Sequence, residues 1–459
     1  MGLIVNANPA VSAADSAILG PLLGDAEIAA CFTDAAAVEA MAAFEVGLAR
    51  AEARHDVIPA SVAAKIAEKA QGFVADFQEM GQSTAASAVP TIALVKQMRA
   101  HINDEASAYL HWGATSQDVI DTALILRLRK VLGILEGRLE GLTHALAEQA
   151  RRHRDTVLPA RTRYQQALPT SLGLKLASWL APLPRQLARL EQMKPRLLCV
   201  QFGGAAGTLS ALGGSGVAVM RSLADELGLH APPMHWHSQR DALAELGSWL
   251  SILTGVLGKL GQDIALHQQS EVGEIRESND PTRGGSSTMP QKANPIGAEA
   301  MVALARFNAG LLGTLHQALV QENERGGPGW QLEWMTLPQM LTSAGAALNH
   351  ASAFAADMVV DGQRMQTNLA SGYGLVMAEA YSFALAEHMP RPDAQALVKT
   401  ACRQALSEQR DLIDVLPTLT EAPVDWTAVA DPGNYLGVSD AFIERVLATV
   451  RPRGTAKCA

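Results

Sequence analysis

Apolar residues recur along much of the chain at alternating steps of four and three positions. The clearest run lies between Asp121 and Gln149. The residues that form its apolar stripe are Leu124, Leu128, Val131, Leu135, Leu139, Leu142 and Leu146. A stripe sustained over about three heptads predicts a long helix that packs lengthwise against other helices.

The same spacing returns in two later segments. One contains Trp249, Leu253, Val256, Leu260 and Ile264, and the other contains Met301, Leu304, Asn308, Leu311, Leu315 and Ala318. The alanine-rich segment from Asp34 to His55 also predicts a helix, with Thr33 or Asp34 as its N-cap. Helices of about 25 residues are too long for a compact globule and are typical of an elongated helical bundle.

Signals for β-strands are sparse. The chain has 5% aromatic residues, few β-branched runs and no alternating segment with a hairpin turn. We therefore predict a mostly α fold with a long central helical bundle. Turn-rich breaks divide the chain into an N-terminal helical domain (1–110), a central bundle (111–355) that carries a lid loop (276–297), and a C-terminal helical domain (356–459).

Composition excludes several classes of partner. The 459 residues are 48% hydrophobic and can bury a large core, while a net charge of -9 argues against nucleic acid or an anionic membrane as partner. The four cysteines lie far apart, without a C-x-x-C pair, which predicts reduced thiols in a cytoplasmic protein. The N-terminus has no cationic signal region, and no apolar run reaches the roughly 18 residues of a membrane span.

One loop, RGGSSTMPQKANP from Arg283 to Pro295, combines glycines, hydroxyl residues and a proline-bounded lysine. It lacks the phosphate-binding pattern G-x-x-x-x-G-K-[ST]. A flexible linker is one interpretation. The other is a lid over a substrate, in which a serine acts as a base because backbone N–H groups and Lys292 stabilise its alkoxide.

The sequence predicts neither a cofactor nor a metal ion. The glycines between Gln201 and Gly216 do not form the G-x-G-x-x-G pattern of a dinucleotide site. His230, His235 and His237 are close in sequence, but no cysteine or helix-spaced carboxylate completes a metal site. Hydrogen-bonded loop histidines are the favoured interpretation.

The stretch GSSTMPQKANP resembles the signature loop of the fumarase/aspartase superfamily, G-S-S-x-M-P-x-K-x-N-P. The resemblance implies that Ser286 is the general base. It also implies that Lys292 and Asn294 bind a carboxylate of the substrate. The match is specific, because eight fixed letters keep their spacing.

Two other stretches resemble further motifs of the same superfamily. HWGATSQDVIDTA, which begins at His111, is similar to the first motif, and the resemblance implies that Thr115 and Ser116 grip a substrate carboxylate. ARTRYQQALPTSLG, which begins at Ala160, is similar to the second motif and implies a substrate contact at Gln165. The resemblance covers essentially the whole chain.

The resemblance also implies an architecture and a reaction. Members of the superfamily have three-domain helical subunits that form a tetramer with a twenty-helix core, and three subunits contribute to each active site. Their common step moves a proton at the carbon α to a carboxylate, through an aci-carboxylate dianion. A group on the β carbon leaves or adds in the same reaction, and contacts to the carboxylate stabilise the charge.

The residue after the Thr of the second motif favours one branch of the superfamily. The fumarase, adenylosuccinate and argininosuccinate branches usually carry a His there, which helps protonate the leaving group, whereas this chain has Arg163. An arginine cannot act as a general acid, because its pKa is above about 12. A carboxylate leaves without protonation, as it does in the carboxymuconate cycloisomerase branch. Further candidate contacts for such a polycarboxylate substrate are His111, Arg163, Arg240, Arg283 and Arg325.

Alternative interpretations stay open at this point. A C–N lyase of the adenylosuccinate or iminodisuccinate type is one, and a cycloisomerase for a sulfonated muconate is another. Gln291, Ala293 and Asn323 depart from the cycloisomerase pattern and leave the position of the substrate's charges open. A non-catalytic helical protein is the third, but it would be expected to lose Ser286 and Lys292 first.

Overall fold

A computed structural model describes residues 11–280 and 282–452, and helices dominate them. The α-helices are α1 (Gly20–Leu23), α2 (Ala26–Ala30), α3 (Asp34–Ala53), α4 (Ala60–Lys69), α5 (Phe77–Ser87), α6 (Thr91–Ile102), α7 (Ser116–Arg152), α8 (Leu172–Leu180), α9 (Pro182–Leu197), α10 (Gly216–Leu227), α11 (Asp241–His267), α12 (Ile296–Gln317), α13 (Pro328–Asp357), α14 (Gly362–Ala370), α15 (Ala378–Ala386), α16 (Arg391–Glu408), α17 (Leu412–Val415), α18 (Trp426–Ala430) and α19 (Ser439–Leu447). The prediction of a mostly α fold is confirmed.

The predicted long helices are present. The heptad segment forms α7, which has 37 residues, and all seven stripe residues are buried. The two later segments lie in α11, with 27 residues, and α12, with 22, apart from Ala318, which directly follows α12. The alanine-rich segment forms α3, and the Thr33 side chain accepts a hydrogen bond from Ala36 N as its N-cap. The spacing of buried apolar residues therefore predicted correctly where these helices form.

The prediction that the chain has no hairpin was wrong. Strands β1 (Val157–Thr162) and β2 (Gln165–Ser171) pair antiparallel. The turn between them consists of Arg163 and Tyr164, with φ values of 50° and 67°. Two-residue hairpin turns of this type favour Asn and Gly, so the turn carries none of the usual sequence signal. A second short pair joins β3 (Ile275–Arg276) to β4 (Val359–Val360).

The described residues form two compact units. The first runs to Arg138 and also contains Gln186–Gly255 and Ala303–Leu348. In it, α3 packs against α4 and α10. The second contains Leu139–Arg185, Val256–Val302 and the chain from Asn349 onward. The three domain boundaries given by the sequence stay a prediction.

The second unit contains the hairpin and a C-terminal apolar core. In this unit α8 packs against α19, and α14 packs against β1. Helices α15 and α16 enclose a cluster of buried side chains that includes Tyr381, which is 1% exposed. Burial next to Asp411 and Asp414 raises the pKa of the Tyr381 hydroxyl to about 12.

Several sequence expectations concern membrane spans, leaders and thiols. No helix in the described part of the chain is long and apolar enough to cross a membrane. Cys31, Cys199 and Cys402 carry free thiols. Cys458 and the first ten residues, on which the expectation of no leader rests, lie outside the described residues.

We expect Leu128→Ala to lower the free energy of unfolding by about 2 to 5 kcal/mol, because the side chain is fully buried in α7 and its loss leaves a cavity. Lys130→Ala on the exposed side of the same helix should change it by less than about 0.5 kcal/mol. Urea unfolding followed by circular dichroism measures both. Equal effects of the two substitutions would contradict the burial pattern.

Candidate active site

The carboxylate of Asp118 organises the start of α7 in the first unit. The side chain is buried, and Oδ2 accepts hydrogen bonds from Thr115 N (3.0 Å) and Gly204 N (2.9 Å). Oδ1 accepts from Gly203 N (2.9 Å) and lies 2.7 Å from Nε2 of His237. The contact with Thr115 follows the capping-box geometry, in which the third helical residue reaches back to the N-cap. One carboxylate thus joins the helix start, a glycine loop and a histidine.

Gly204 shows why this loop requires glycine. Its φ is +69°, and a Cβ atom there would lie 2.9 Å from the carbonyl oxygen of Gly113. A side chain would therefore be strained and would also push the loop away from Asp118. The close approach places the glycine loop against the residues that lead into α7.

Arg325 is a cation beside the predicted carboxylate-binding threonine. It donates to Oγ1 of Thr115 (2.9 Å) and to the carbonyl oxygens of Gly204 (3.1 Å) and Ala205 (3.0 Å). All three acceptors are neutral, and among residues 11–280 and 282–452 no carboxylate forms an ion pair with Arg325. The group of Thr115 and Arg325 therefore keeps a positive charge that a ligand carboxylate can neutralise.

Arg240, another predicted substrate contact, has a different environment. Its buried guanidinium donates to Asp121 (2.7 Å) and to Glu333 (2.8 Å), and it stacks on Trp236 at 4.8 Å. Burial opposes its charge, but the two carboxylates outweigh burial and raise its pKa further. The geometry favours a structural role for Arg240, because its guanidinium N–H groups already donate to carboxylates of the protein.

His111 and Ser116 flank Thr115. Nδ1 of His111 lies 2.7 Å from Oε1 of the buried Glu45. Burial disfavours the charged imidazole, but the carboxylates of Glu45 and Asp118 together outweigh it and raise the pKa of His111. Ser116 is the half-buried first residue of α7, and its carbonyl oxygen accepts from Thr91 Oγ1 at 3.4 Å.

The lid loop of the second unit carries the predicted base. Oγ of Ser286 accepts hydrogen bonds from Thr288 N (3.4 Å) and Met289 N (3.2 Å). Two backbone donors on one oxygen stabilise negative charge there, which is the requirement for a serine that exchanges a proton with carbon. Lys292 is exposed, and its backbone N–H donates to Met289 O at 3.0 Å.

The two ends of this loop form a narrow neck. Asn294 donates to the carbonyl oxygen of Gly284 through its backbone N–H (2.8 Å) and through Nδ2 (2.9 Å). Gly285 and Ala293 form an antiparallel bridge at the same level. Gly284 has φ +70°, and a Cβ there would lie 2.3 Å from Asn294 O. Asn294 thus uses its amide group to close the neck, and its predicted contact with substrate stays a prediction.

Two side chains fix the neck to the second unit. Gln268 accepts from Glu277 N (3.0 Å) and donates to Ala293 O (3.1 Å), so it bridges the two sides of the loop. The Glu277 carboxylate accepts from the backbone N–H groups of Gly297 (3.2 Å) and Ala298 at the start of α12. A carboxylate is favourable there because a helix N-terminus carries partial positive charge. The base of the lid is therefore held on both sides, while its tip is exposed.

A buried cluster holds the hairpin that carries Arg163 and Gln165. Glu274 accepts two hydrogen bonds from Arg161, at 2.8 and 2.6 Å, and one from Asn368 at 2.8 Å. Nδ1 of His267 lies 2.9 Å from the same carboxylate. Burial alone would raise the pKa of Glu274, but these contacts outweigh it and lower the pKa to about 2.

The remaining predicted contacts are exposed or half-buried. Arg163 and Gln165 are exposed at the hairpin turn, and Arg283 is half-buried at the start of the lid. The structure therefore groups Thr115 with Arg325 in the first unit, and Ser286 with the other lid residues in the second. These site roles stay predictions.

Sequence reasoning missed two side chains that organise these groups, Glu45 and Gln268. The spacing of Thr115 and Asp118 is a capping-box pattern that could have shown their contact in advance. No local pattern marks Glu45, because its partner His111 lies 66 positions away in the chain. Within the ranges that the structure describes, no three His, Cys, Asp or Glu residues lie where they could hold a metal ion.

Comparison with known proteins then decides the family. The family described as Lyase matches residues 26–307, and the family described as Adenylosuccinate lyase C-terminus matches residues 374–446. The chain belongs to the lyase family of the fumarase/aspartase superfamily. The resemblance found in the three sequence motifs is thereby confirmed, and the protein is an enzyme of this family.

Individual relatives are similar over almost the whole chain. A 3-carboxy-cis,cis-muconate cycloisomerase from Pseudomonas aeruginosa is 42% identical over 92% of this chain and 94% of its own length. One from Bradyrhizobium diazoefficiens is 40% identical over 95% and 99%. The crystal structure of 3-carboxy-cis,cis-muconate lactonizing enzyme from Pseudomonas putida is 39% identical, covers 94% of this chain and 98% of its own, and has a TM-score of 0.88.

We expect Glu274→Gln to destabilise the protein by about 3 to 5 kcal/mol near neutral pH, because it breaks a buried ion pair. The pKa of Glu274 falls from 4.5 to about 2 on folding, so its contribution is complete above pH 4.5 and is lost as the pH falls through about 2. The difference between wild type and variant should shrink over that range.

Urea unfolding at a series of pH values measures this difference. Glu271→Gln is the matched control, because Glu271 is exposed in the same segment. A constant difference between Glu274→Gln and wild type from pH 7 to pH 2 would contradict the assignment.

Proposed function

We propose that the protein is a cycloisomerase that converts 3-carboxy-cis,cis-muconate into a carboxymuconolactone, in the protocatechuate branch of the β-ketoadipate pathway. The observation that carries this proposal is the serine of the lid, whose Oγ receives two backbone N–H groups. The choice of substrate is supported by the relatives named above, which are similar over more than nine-tenths of the chain.

The proposed reaction is an intramolecular addition. A carboxylate oxygen of the substrate bonds to the neighbouring alkene carbon, and the π electrons move to the carbon α to another carboxylate. The hydroxyl of Ser286 gives its proton to that carbon, and its alkoxide is stabilised by the N–H groups of Thr288 and Met289. Orientation supplies much of the rate, and a lid that excludes water prevents competing addition.

Cations bind the carboxylates of the substrate in this proposal. Lys292 acts with Ser286 on the lid, and Arg325 binds a carboxylate together with the hydroxyl of Thr115. Arg163 adds charge at the hairpin turn but cannot supply a proton. In the reverse reaction the leaving group is a carboxylate, which leaves without being protonated. Weaker candidate contacts are Ser116, Gln165, Arg283 and Asn294.

We also propose a homotetramer in which subunits share active sites. The resemblance to the superfamily, whose active sites take residues from three subunits, supports this proposal. The lid residues lie in one compact unit and the group of Thr115 and Arg325 in the other. Large apolar side chains are exposed on three long helices, at Ile252, Phe307 and Met335, with 45 to 58% exposure. Burial of such residues between subunits is the usual basis of a helical oligomer. The free thiols of the described cysteines favour the cytoplasm as its location.

A C–N lyase of the same superfamily is the second candidate function. The match of residues 374–446 to the adenylosuccinate lyase C-terminus favours it. Arg163 disfavours it, because a departing nitrogen requires a proton donor. A sulfonated muconate is a further candidate substrate. The chain departs from the cycloisomerase pattern at Gln291, Ala293 and Asn323, and these departures change the charge and hydrogen bonding available to a ligand.

The purified protein should remove the diene absorbance of 3-carboxy-cis,cis-muconate. Ser286→Ala should lower kcat/KM by about 10²- to 10⁴-fold, because proton transfer by a positioned side chain contributes that much. Ser287→Ala, the matched control on the neighbouring exposed residue, should retain activity within a few-fold. An inactive wild type, or an undiminished Ser286→Ala, would overturn the proposal. Fumarate formed from an amino-linked succinate would support the C–N lyase instead.

Mixing inactive variants tests the shared site. Ser286→Ala and Arg325→Ala subunits, dissociated and reassembled together, should regain about one quarter of wild-type activity, because each contribution is intact in half of the subunits. The control mixture of Ser286→Ala and Lys292→Ala should regain none, since both residues lie on one lid. No recovery in either mixture would contradict sharing between subunits.

A further inference from the structure

Glu45 is a buried acidic residue that the mechanism above does not use. It lies in α3, its side chain has no exposure, and Oε1 is 2.7 Å from Nδ1 of His111. Oε2 is buried without a hydrogen-bond partner in the part of the chain that the structure describes. A buried carboxylate is costly unless a positive group compensates it, so His111 is its counter-ion.

The backbone of His111 also depends on this contact. Its φ is +63°, in the left-handed region that residues with a side chain rarely adopt. Such conformations cost about 1 kcal/mol or more and persist only where neighbouring contacts enforce them. The short contact with Glu45 is one that holds the ring in place.

The other charged groups near His111 act in opposite directions. The carboxylate of Asp118, in α7, favours a charged imidazole, and the guanidinium of Arg99, in α6, disfavours it. Arg99 donates to Leu110 O at 2.8 Å. Burial is the largest effect and opposes the charge as well, yet Glu45 and Asp118 together outweigh burial and Arg99, and the pKa of His111 is raised.

The orientation of the ring leaves its second nitrogen available. Nδ1 faces Glu45, and among the hydrogen bonds of the described residues none involves Nε2 of His111. The His111 side chain keeps 18% exposure. It precedes Thr115, whose hydroxyl already binds the cation Arg325. A charged imidazole is a positive hydrogen-bond donor, which is the kind of group that binds a carboxylate.

We propose that Glu45 is a positioning residue: it keeps the imidazole of His111 charged and presents Nε2 to a carboxylate of the substrate. The identity of that substrate rests on the proposed function. The pairing of Glu45 with His111 does not, because it is a property of the free protein and can be measured without turnover.

The chain provides a matched control in Glu52. It lies seven residues later on the same face of α3 and is also fully buried. Burial, reinforced by the nearby Glu45, raises its pKa to about 9, so it is uncharged at neutral pH. Glu52→Gln therefore replaces one buried neutral group with another, whereas Glu45→Gln removes the counter-ion of His111.

The first experiment follows His111 by NMR in full-length protein labelled at the histidine ring, with His111→Gln to assign its signal. We expect the pKa of His111 to fall in Glu45→Gln and to stay at the wild-type value in Glu52→Gln. An unchanged titration in Glu45→Gln, or an equal change in both variants, would overturn the proposal.

The second experiment measures KM for 3-carboxy-cis,cis-muconate against pH. In Glu45→Gln, KM should rise about tenfold or more at neutral pH with a smaller change in kcat, because a charged hydrogen bond to substrate is lost. The raised pKa keeps His111 charged to higher pH in wild type, so binding should weaken at a lower pH in the variant. Coincident pH profiles would overturn the proposal.

The two proposals fail in different ways. If wild type does not turn over the muconate but Glu45→Gln still lowers the pKa of His111, the substrate is wrong and the pairing stands. If Glu45→Gln does not fold, Glu45→Asp replaces it, and its shorter carboxylate should give a His111 pKa below that of wild type. A wild-type pKa in Glu45→Asp would overturn the proposal in that case.

Discussion

The buried carboxylate of Asp118 is the contact on which the geometry of the first unit depends. A charge without access to water must be compensated, and this one receives Thr115 N, Gly203 N and Gly204 N and contacts His237. These partners come from three separate segments of the chain, so the charge is fully satisfied only when all three are in place. The hydroxyl of Thr115, at the start of the helix fixed by this carboxylate, accepts a hydrogen bond from Arg325.

The lid combines a fixed base with an exposed tip. Gln268 and Glu277 hold both sides of the neck, and Asn294 closes it against Gly284. The oxygen of Ser286 receives its hydrogen bonds from the loop itself. Stabilisation of that oxygen therefore moves with the lid and does not depend on how far the lid is closed over a substrate.

The sequence was sufficient to predict those helices and motifs that depend on the spacing of nearby residues. The stripe of α7 and the spacing of Ser286 and Lys292 could both be found from neighbouring letters. It was insufficient for contacts between distant residues: Glu45 and His111 are 66 positions apart, and Arg161 and Glu274 are 113 apart. The hairpin was missed because its turn is formed by Arg and Tyr.

The ion pairs distinguish the cations that stabilise the fold from those that are available to bind a ligand. Arg161 and Arg240 are bound to buried carboxylates, whose removal would leave an uncompensated charge. Arg325 contacts only neutral oxygens, and Lys292 and Arg163 have no ion pair within the described ranges. Since the chain carries a net charge of -9, a polyanionic substrate is attracted only by such local groups and not by the overall field. The position of these cations, rather than the net charge, therefore decides which anionic groups the protein attracts.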